Sequence, residues 1–491
     1  MHDLVIRNAS VYDGTGSAPV ITDIAIDGDR IAGIGTPGAA REELDATGLA
    51  LAPGFIDVHT HDDFAAVLYP DMAFKVCGGV TTCIVGNCGM GAAPFRQAAL
   101  LARAFHPGQE LPDWGDYHGY FDTLDAQPPS VNVGVLVGHG SMRMAAMHRD
   151  SGAPSADQMA QMKAILAEGL DAGALGLSTG LIYDPGKYAA TEELIELAST
   201  LPDGALYATH MRDEGTGLLT SIQEALRIGE SAGVPIQISH HKASGHDAWG
   251  LVNESLALID AARARGVSVD ADQYPYTAGS TILSAVLAKD VADMRNVRHD
   301  DIVIASTAGH SDWEGQSLSQ LAQLLELSPE ETAQHVLATE PDATVILHSM
   351  DENDVQTVLR HPSTMIGSDG IPTLEGRPHP RLYGTFARVL GHYARDLGLF
   401  SLEEAVHRMT GLPAAKFGLT DRGEIRTNGY ADLVLFDPAR VIDVGTFEDP
   451  NHYPDGIVHV FVNGRHTVAN GVHCGARNGK ALRRVSSEQV V

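Results

Sequence analysis

The stretch Pro53-Gly54-Phe55-Ile56-Asp57-Val58-His59-Thr60-His61 leads a short apolar segment directly into two histidines. Residues 54–57 form a short apolar run, which predicts a buried strand. Residues i and i+2 of a strand face the same side, so the His59 and His61 imidazoles can point to one centre. A His-x-His pair arises often by chance, and the remaining sequence must decide whether this pair binds a metal.

Seven further short apolar runs follow, and helical patterns separate them, as in successive βα units. Eight parallel strands with crossover helices favour a closed barrel over an open sheet. The predicted fold class is therefore α/β, with a (β/α)8 TIM-like barrel. Its strands are predicted at residues 54–57, 80–85, 131–137, 174–178, 205–209, 235–239, 267–271 and 364–367, and its clearest helices at 155–172, 191–200, 217–232 and 254–265.

The two ends of the chain differ from the middle, because both consist of short strand patterns punctuated by turns. They predict a small β-sandwich domain built from residues 1–52 and 420–485, around a catalytic barrel of residues 53–419. The interval before the eighth strand is too long for one βα unit, so residues 281–345 are predicted to be an insertion that is helical around 318–327. A lid over the barrel mouth and a peripheral decoration are both open interpretations of this insertion.

Residues of metal-ligand type follow three other predicted strands. His210 ends the fifth strand, His240 ends the sixth, and Asp369 follows the eighth. The carboxyl ends of the strands converge on one face of a (β/α)8 barrel, where active sites form. Four imidazoles and one carboxylate at that face are donors that Zn²⁺ uses in proteins. The sequence therefore predicts a metal site that includes His59 and His61.

The composition narrows the class of partner and the compartment. Lys and Arg total 33 and Asp and Glu total 63 among 491 residues, so the net charge is 33 − 63 = −30. Such an acidic chain is repelled by nucleic acid and anionic membranes, and neither is a predicted partner. Four cysteines do not make a disulfide framework, and Cys77 and Cys83 are predicted to be core residues. With neither a signal-peptide pattern nor an apolar run near the roughly 18 residues of a membrane helix, the expected location is cytoplasmic.

The order of ligand-type residues on strands one, five, six and eight resembles that of the amidohydrolase superfamily. Within it, the chain is most similar to the D-aminoacylase (N-acyl-D-amino-acid deacylase) family, over essentially its whole length. The resemblance rests on six segments, of which the last three are specific to this family: PGFIDVHTHDD (53–63), GNCG (86–89), LSTGLIY (177–183), THMR (209–212), SHHK (239–242) and HPRLYGTF (379–386).

The resemblance implies a particular set of zinc ligands. Many binuclear amidohydrolases carry on strand four a lysine that bridges two metals once it is carbamylated, and residues 174–178 contain no lysine. Cys88, in the Gly-rich loop after strand two, would take its place, because a thiolate is a good Zn²⁺ ligand. The implied sites are one tightly bound Zn²⁺ at Cys88, His210 and His240, and a second, weaker site at His59, His61, Cys88 and Asp369.

The family also implies the reaction. A metal-dependent hydrolase would convert an N-acyl-D-amino acid, the predicted small-molecule partner, and water into a carboxylate and a free D-amino acid. Asp369 is predicted to act as the general base that takes the water proton and then delivers it to the leaving nitrogen. By resemblance, the substrate carboxylate would be held by Lys242, Tyr274, Ser280 and Arg381, and Tyr183 would line the site.

Other charged residues near the predicted strand ends have simpler interpretations. Arg212, Asp213 and Glu214 follow the fifth strand and predict a salt-bridge network at the barrel rim. Asp62 and Asp63 follow the His-x-His pair and are predicted to accept hydrogen bonds from metal-bound imidazoles.

Three alternatives to deacylation remain at this point. They are hydantoinase- or dihydroorotase-like hydrolysis of a cyclic amide, cleavage of a D-dipeptide, and a catalytically inactive metal-binding scaffold. The missing strand-four lysine and the Cys88 loop argue against the first, and the complete ligand set argues against the last. The sequence leaves open the side chain and acyl group of the substrate, the number of metals bound, and the oligomeric state. Selectivity for D over L substrates rests on the resemblance alone. Either Arg377 or Arg381 could be the arginine that binds the substrate carboxylate.

Overall fold

A computed structural model provides the structure of residues 1–106, 108–287 and 297–485. The strands are β1 (His2–Val11), β2 (Val20–Asp27), β3 (Arg30–Gly35), β4 (Ala40–Asp45), β5 (Ala50–Pro53), β6 (Phe55–Asp57), β7 (Val80–Val85), β8 (Asn132–Gly138), β9 (Gly176–Gly180), β10 (Leu206–His210), β11 (Ile236–Ile238), β12 (Val269–Gln273), β13 (Gly279–Ile282), β14 (Ile302–Ser306), β15 (Thr344–Leu347), β16 (Thr364–Ile366), β17 (Leu433–Phe436), β18 (Ile457–Val462), β19 (Arg465–Ala469), β20 (Val472–His473) and β21 (Ala481–Leu482). The α-helices are α1 (Ala65–Leu68), α2 (Ala73–Val76), α3 (Phe95–Ala102), α4 (Tyr117–Ala126), α5 (His139–Met147), α6 (Ala156–Ala172), α7 (Thr191–Ala198), α8 (Leu218–Ala232), α9 (Val252–Ala264), α10 (Leu283–Val286), α11 (Leu318–Leu325), α12 (Pro329–Thr339), α13 (Glu352–Arg360), α14 (Arg381–Arg388), α15 (Leu402–Met409) and α16 (Gly411–Lys416).

Eight parallel strands form the barrel. Strands β6 to β12 and β16 pair in the order β16-β12-β11-β10-β9-β8-β7-β6, and a parallel bridge between Thr60 and Gly370 joins the first and last strands just beyond their ends. Every residue of β7 is buried, as expected for a parallel strand covered on both faces. All eight predicted strands are present, and the predicted fold class is confirmed.

The helices of the barrel begin and end at residues that favour those positions. Helix α6 starts after Ser155, whose side chain accepts a hydrogen bond from the Gln158 backbone N–H in a capping box, and it ends at Gly173, whose φ is 119°. Helix α8 likewise ends at Gly233, which lies in the left-handed region. Among the helices of residues 1–106, 108–287 and 297–485, none combines the length and apolar character needed to cross a bilayer.

Both ends of the chain contribute to a nine-stranded sheet. Its strands run in the order β20-β19-β18-β17-β5-β1-β2-β3, and β4 pairs with β1. The connection between the two ends is the antiparallel pair β5–β17, in which Leu51 lies opposite Leu435. The last strand differs from the prediction, because β21 pairs with barrel strand β8 rather than with this sheet.

The predicted insertion contains a small antiparallel sheet as well as helices. Strands β13, β15 and β14 pair in that order, and helices α11 and α12 lie between β14 and β15 in the chain. A separate apolar cluster that includes Trp313 and Leu318 supports this unit. Residues 288–296 of the predicted insertion lie outside the described residues, and the lid remains a prediction.

Candidate metal centre

Two histidines and an aspartate meet where the first and eighth barrel strands end. The backbone N–H of Asp369 donates to the carbonyl of His59 (2.7 Å), and the N–H of His61 donates to the carbonyl of Gly370 (3.1 Å). This pairing brings Asp369 Oδ1 to 3.4 Å from His59 Nε2 and to 3.2 Å from His61 Nε2. The three side chains are buried and form one group of potential metal donors.

Cys88 lies at the centre of the remaining predicted ligands. It sits in the short turn Asn87–Gly89 after β7, and its Sγ lies 3.3 Å from His59 Nε2, 3.6 Å from His210 Nδ1 and 3.5 Å from His240 Nε2. Usual Zn–S and Zn–N bond lengths at a tetrahedral ion put sulfur and nitrogen about 3.6 Å apart. The structure therefore brings together all six predicted ligands, with donor spacings that suit Zn²⁺.

Three of these residues have an unusual backbone conformation. Cys88, His240 and Asp369 have φ values of 53°, 35° and 49°, in the left-handed region that side chains other than glycine rarely adopt. The Cys88 turn packs closely against Gly180, where a side chain would overlap the Cys88 carbonyl oxygen. Conformations of this kind persist where the surrounding structure enforces them, and they are common at functional sites.

The histidines around Cys88 favour its charged form. Burial alone would raise the pKa of the Cys88 thiol, but the His59 ring and hydrogen bonds to His210 and His240 hold that pKa well below its usual value. The group is therefore disposed to be a thiolate, which is the form that binds metal.

The charge of Asp369 is favoured in the same way. Burial would raise the pKa of its carboxyl group, whereas the Arg381 guanidinium, His240 and a hydrogen bond to His61 hold that pKa well below its usual range. Asp369 is therefore an anionic acceptor at neutral pH, as a metal ligand or general base must be.

Glu214 is a functional candidate that the sequence interpretation placed elsewhere. Its buried carboxylate lies 2.9 Å from His240 Nδ1, 3.7 Å from His210 Nε2 and 2.7 Å from Lys242 Nζ. These contacts involve the ring nitrogens that face away from Cys88, so Glu214 holds the His240 imidazole toward the centre and lies beside that of His210. Burial opposes its ionisation, but Lys242 and the two histidines lower the pKa of Glu214 far below its usual value.

The prediction that Glu214 belongs to a salt-bridge network at the barrel rim, with Arg212 and Asp213, was wrong. Arg212 does form a partly exposed ion pair, but its partner is Glu224, at 3.0 Å. Asp213 accepts a hydrogen bond from the Gly215 backbone N–H. Glu214 instead turns inward, and its position four residues after His210 is the sequence signal that could have identified it.

Asp272, at the end of the seventh strand, supports the first histidine. Its Oδ1 lies 3.2 Å from His59 Nδ1 and accepts a hydrogen bond from the His240 backbone N–H at 2.8 Å. Asp62 instead lies 3.4 Å from Lys75, and Asp63 accepts a backbone hydrogen bond from Gly86. Asp272 directly follows the predicted seventh strand, 267–271, in the same way that Asp369 follows the eighth, and this position is the sequence signal that could have identified it.

A cavity opens next to the cluster on the side of the inserted sheet. Four of the five predicted substrate-binding residues are in its lining. The full lining is Ile182, Tyr183, His210, Glu214, His240, Lys242, Ser244, Tyr274, Gly279, Ser280, Thr281, Leu347, Ser349 and Asp369.

Arg381, the fifth, lies at the edge of this cavity. One of its terminal nitrogens is 2.9 Å from Asp369 Oδ2 and 3.3 Å from the Ser280 carbonyl, and its guanidinium carbon is 4.4 Å above the Tyr274 ring. Its Nε and other terminal nitrogen have no hydrogen-bond partner among the described residues. Arg377 is exposed and is not part of the lining, so the geometry favours Arg381 over Arg377.

The barrel and its cluster of histidine, cysteine and aspartate side chains are those of an amidohydrolase, and the chain belongs to the amidohydrolase family, whose model matches residues 42–468. Within that class it belongs to the D-aminoacylase family. A D-aminoacylase from Alcaligenes xylosoxydans xylosoxydans is 42% identical over 99% of this chain and 98% of the relative. The N-acyl-D-glutamate and N-acyl-D-aspartate deacylases of the same organism are 41% and 40% identical, over 99% and 98% of this chain and 97% and 95% of the relatives.

Solved structures agree with this family. A D-aminoacylase described as having a binuclear metal centre, with one-metal activation and second-metal attenuation, has a TM-score of 0.90 at 40% identity, over 99% of this chain and 100% of that one. The N-acyl-D-glutamate deacylase from Bordetella bronchiseptica, complexed with zinc and a phosphonate that mimics the tetrahedral intermediate, has a TM-score of 0.88 at 40% identity, over 98% and 99%. A D-hydantoinase, over 98% and 99%, shares only the fold, with a TM-score of 0.59 at 17% identity.

Proposed function

We propose that this protein hydrolyses the amide bond of N-acyl-D-amino acids, with zinc as its metal, to give a carboxylate and a free D-amino acid. The observation that carries the proposal is the position of Cys88, whose Sγ lies 3.3 to 3.6 Å from three imidazole nitrogens beside the Asp369 carboxylate. The D-aminoacylase and the N-acyl-D-glutamate and N-acyl-D-aspartate deacylases to which the whole chain is similar support the same reaction.

The donor set fits Zn²⁺, since a thiolate and imidazoles are its preferred ligands. Cys88, His210 and His240 would hold the tightly bound ion. His59, His61, Cys88 and Asp369 would hold a second ion more weakly. When bound, Zn²⁺ polarises an amide carbonyl and makes a water molecule more acidic.

Asp369 would move the proton of the reaction. Its Oδ2 is held at 2.9 Å by Arg381, while Oδ1 faces the His59 and His61 rings and the cavity. As an anion fixed in this way, the carboxylate can take a proton from the attacking water and deliver it to the leaving nitrogen.

Residues of the cavity beside the centre would bind the substrate carboxylate. Lys242, Tyr274 and Ser280 line the cavity, and Arg381, at its edge, has N–H groups without a partner among the described residues. Such N–H groups are suited to charge-assisted hydrogen bonds with a carboxylate. Tyr183 also lines the cavity, with its ring centroid 5.0 Å from that of His210 and its hydroxyl 3.1 Å from that of Thr281.

A substrate panel tests the function. We expect release of free amine from N-acetyl-D-amino acids, little from their L enantiomers, and little from hydantoins. The matching N-acetyl-D-amino acid amides, which lack the carboxylate, are expected to react poorly because Arg381 and Lys242 have no anion to bind. Faster turnover of hydantoins than of any N-acetyl-D-amino acid would replace deacylation with cyclic-amide hydrolysis.

We also propose a cytoplasmic location and a small-molecule substrate as the partner. All four cysteines are free thiols, and a reducing compartment keeps Cys88 in the form that binds metal.

Replacing Glu214 tests the support of the tight site. Glu214→Gln is expected to weaken Zn²⁺ binding about 10- to 100-fold, because an amide cannot accept hydrogen bonds from His240 and Lys242 as the carboxylate does. Competition with a chelator of known affinity measures the change. Glu224→Gln, on the rim beside Arg212, is the matched control and should bind as the wild type does. Unchanged affinity in Glu214→Gln would contradict its orienting role.

A further inference from the structure

Lys75 is a buried cation that the proposed mechanism does not use. It lies on α2, is 1% exposed, and its Nζ is 2.7 Å from Asp57 Oδ2, 2.8 Å from Ser368 Oγ and 3.4 Å from Asp62 Oδ2. We call Lys75, Asp57, Asp62 and Ser368 the Lys75 cluster. Burying a charge without a partner is costly. The buried ammonium group of Lys75 is therefore stable only while Asp57, Asp62 and Ser368 stay in contact with it.

The Lys75 cluster connects the two strands that carry one half of the metal centre. Asp57 Oδ1 accepts the Ser368 backbone N–H at 2.8 Å, and Asp57 Oδ2 accepts the Ser368 hydroxyl at 2.6 Å. Ser368 immediately precedes Asp369, and Asp57 lies two residues before His59. The Lys75 cluster therefore adds side-chain contacts to the backbone pairing that sets the relative position of His59 and Asp369.

The cluster also packs against the turn that contains Asp369. The Ser368 hydroxyl accepts the Gly370 backbone N–H at 3.0 Å, and a Cβ on Gly370 would come within 2.9 Å of Lys75 Nζ. Asp369 lies between these two residues, with a φ of 49°. The ammonium group thus supports the turn in which the left-handed Asp369 is held.

The contacts of Lys75 are unevenly distributed over the centre. Its polar contacts within 3.5 Å are with Asp57, Asp62 and Ser368. These three residues lie one or two positions from His59, His61 and Asp369 of the proposed weaker site. His240 is held separately, by Glu214, which also lies 3.7 Å from His210. The two halves of the centre consequently have different supports.

We propose that Lys75 is a positioning residue for the second, weaker zinc site, which it sets through Asp57 and Ser368 without touching the metal. This inference rests on the proposed function, because it requires the two zinc sites described there. It makes zinc affinity at the second site, separately from the first, dependent on a buried lysine of α2.

Zinc titration of four proteins tests the proposal. The wild type, Lys75→Met, Ser368→Ala and Lys416→Met are stripped of metal and titrated with Zn²⁺ by calorimetry, with thermal unfolding measured on the same samples. Lys416→Met is the matched control, since it removes a buried lysine that pairs with Asp270 at 2.8 Å elsewhere in the barrel.

The expected result is selective. Lys75→Met should weaken the second Zn²⁺ at least tenfold and change the first less than twofold, and Ser368→Ala should weaken the second about threefold. Lys416→Met should bind both ions as the wild type does, even with a lower melting temperature. If Lys75→Met does not fold, Ser368→Ala decides the question, because it keeps the pair between Lys75 and Asp57.

Two results would overturn the inference. Wild-type affinity for the second ion in both Lys75→Met and Ser368→Ala would give the cluster a purely structural role, as would equal weakening of both ions. Failure of the wild type to take up a second ion would instead refute the second site of the proposed function, and Lys75 would then have no zinc site to position.

Discussion

Asp369→Asn is expected to lower kcat about 10²- to 10⁴-fold, the usual contribution of a general acid–base group. An amide oxygen cannot take the proton that the carboxylate accepts. Asparagine tolerates the left-handed φ of 49° at this position, so the turn should survive the change. The tight zinc donors proposed at Cys88, His210 and His240 are untouched. The measurement is kcat with an N-acetyl-D-amino acid, together with the zinc content of the same sample.

The matched control for this variant is Asp443→Asn. Asp443 is a half-buried aspartate that pairs with Arg388 at 3.1 Å and does not line the cavity. The Asp443→Asn variant loses the same negative charge at a position outside the proposed reaction centre, so its kcat should stay near the wild-type value. Near-normal turnover by Asp369→Asn would remove this residue from the proton transfer.

The barrel could be predicted because its signals are local. Strand β7 occupies residues 80–85 as predicted, since a run of β-branched and apolar residues between Gly79 and Gly86 suits a strand covered on both faces. The other barrel strands differ from prediction only at their ends. The small sheet of the insertion was harder to predict from the sequence. Within the insertion only the helix predicted around 318–327 has a clear periodic pattern, and it is observed as α11.

The candidate centre was only partly readable from local patterns. The ends of the predicted strands indicated the histidines and Asp369, but Cys88 entered through family resemblance, because a thiol in a Gly-rich loop has no distinctive spacing. The three imidazoles around Cys88 belong to residues far apart in the chain, and no short pattern indicates its left-handed φ of 53°.

The supporting residues required the three-dimensional structure. Glu214 resembled a rim residue because its spacing after His210 indicates an inward position only once the place of His240 is known. Lys75 and Ser368 are 293 positions apart, and only closure of the barrel brings them within 2.8 Å. Contacts that depend on closure of the whole fold have no signature in a short stretch of sequence.

Cys88→Ser is expected to have the largest effect on metal binding. If three protein ligands share the roughly 10–16 kcal/mol of a structural zinc site, each contributes about 3–5 kcal/mol, and loss of the thiolate would weaken the tight site at least about 10²-fold. The hydroxyl of serine does not ionise near neutral pH, so the His59, His210 and His240 nitrogens would lose the anion between them. Dialysis against a chelator followed by metal analysis measures the loss.

The control is the same substitution at Cys83, a fully buried thiol on β7 that lies outside the three groups of potential metal donors. Cys83→Ser should lower the melting temperature through burial of a hydroxyl and still retain its tightly bound zinc. Cys88→Ser should show the opposite pattern, with its zinc lost while the barrel remains folded, because the apolar strands around it are unchanged. A Cys88→Ser protein that kept a full equivalent of zinc after dialysis would show that the histidines alone hold the ion, and the thiolate would have no place in the centre.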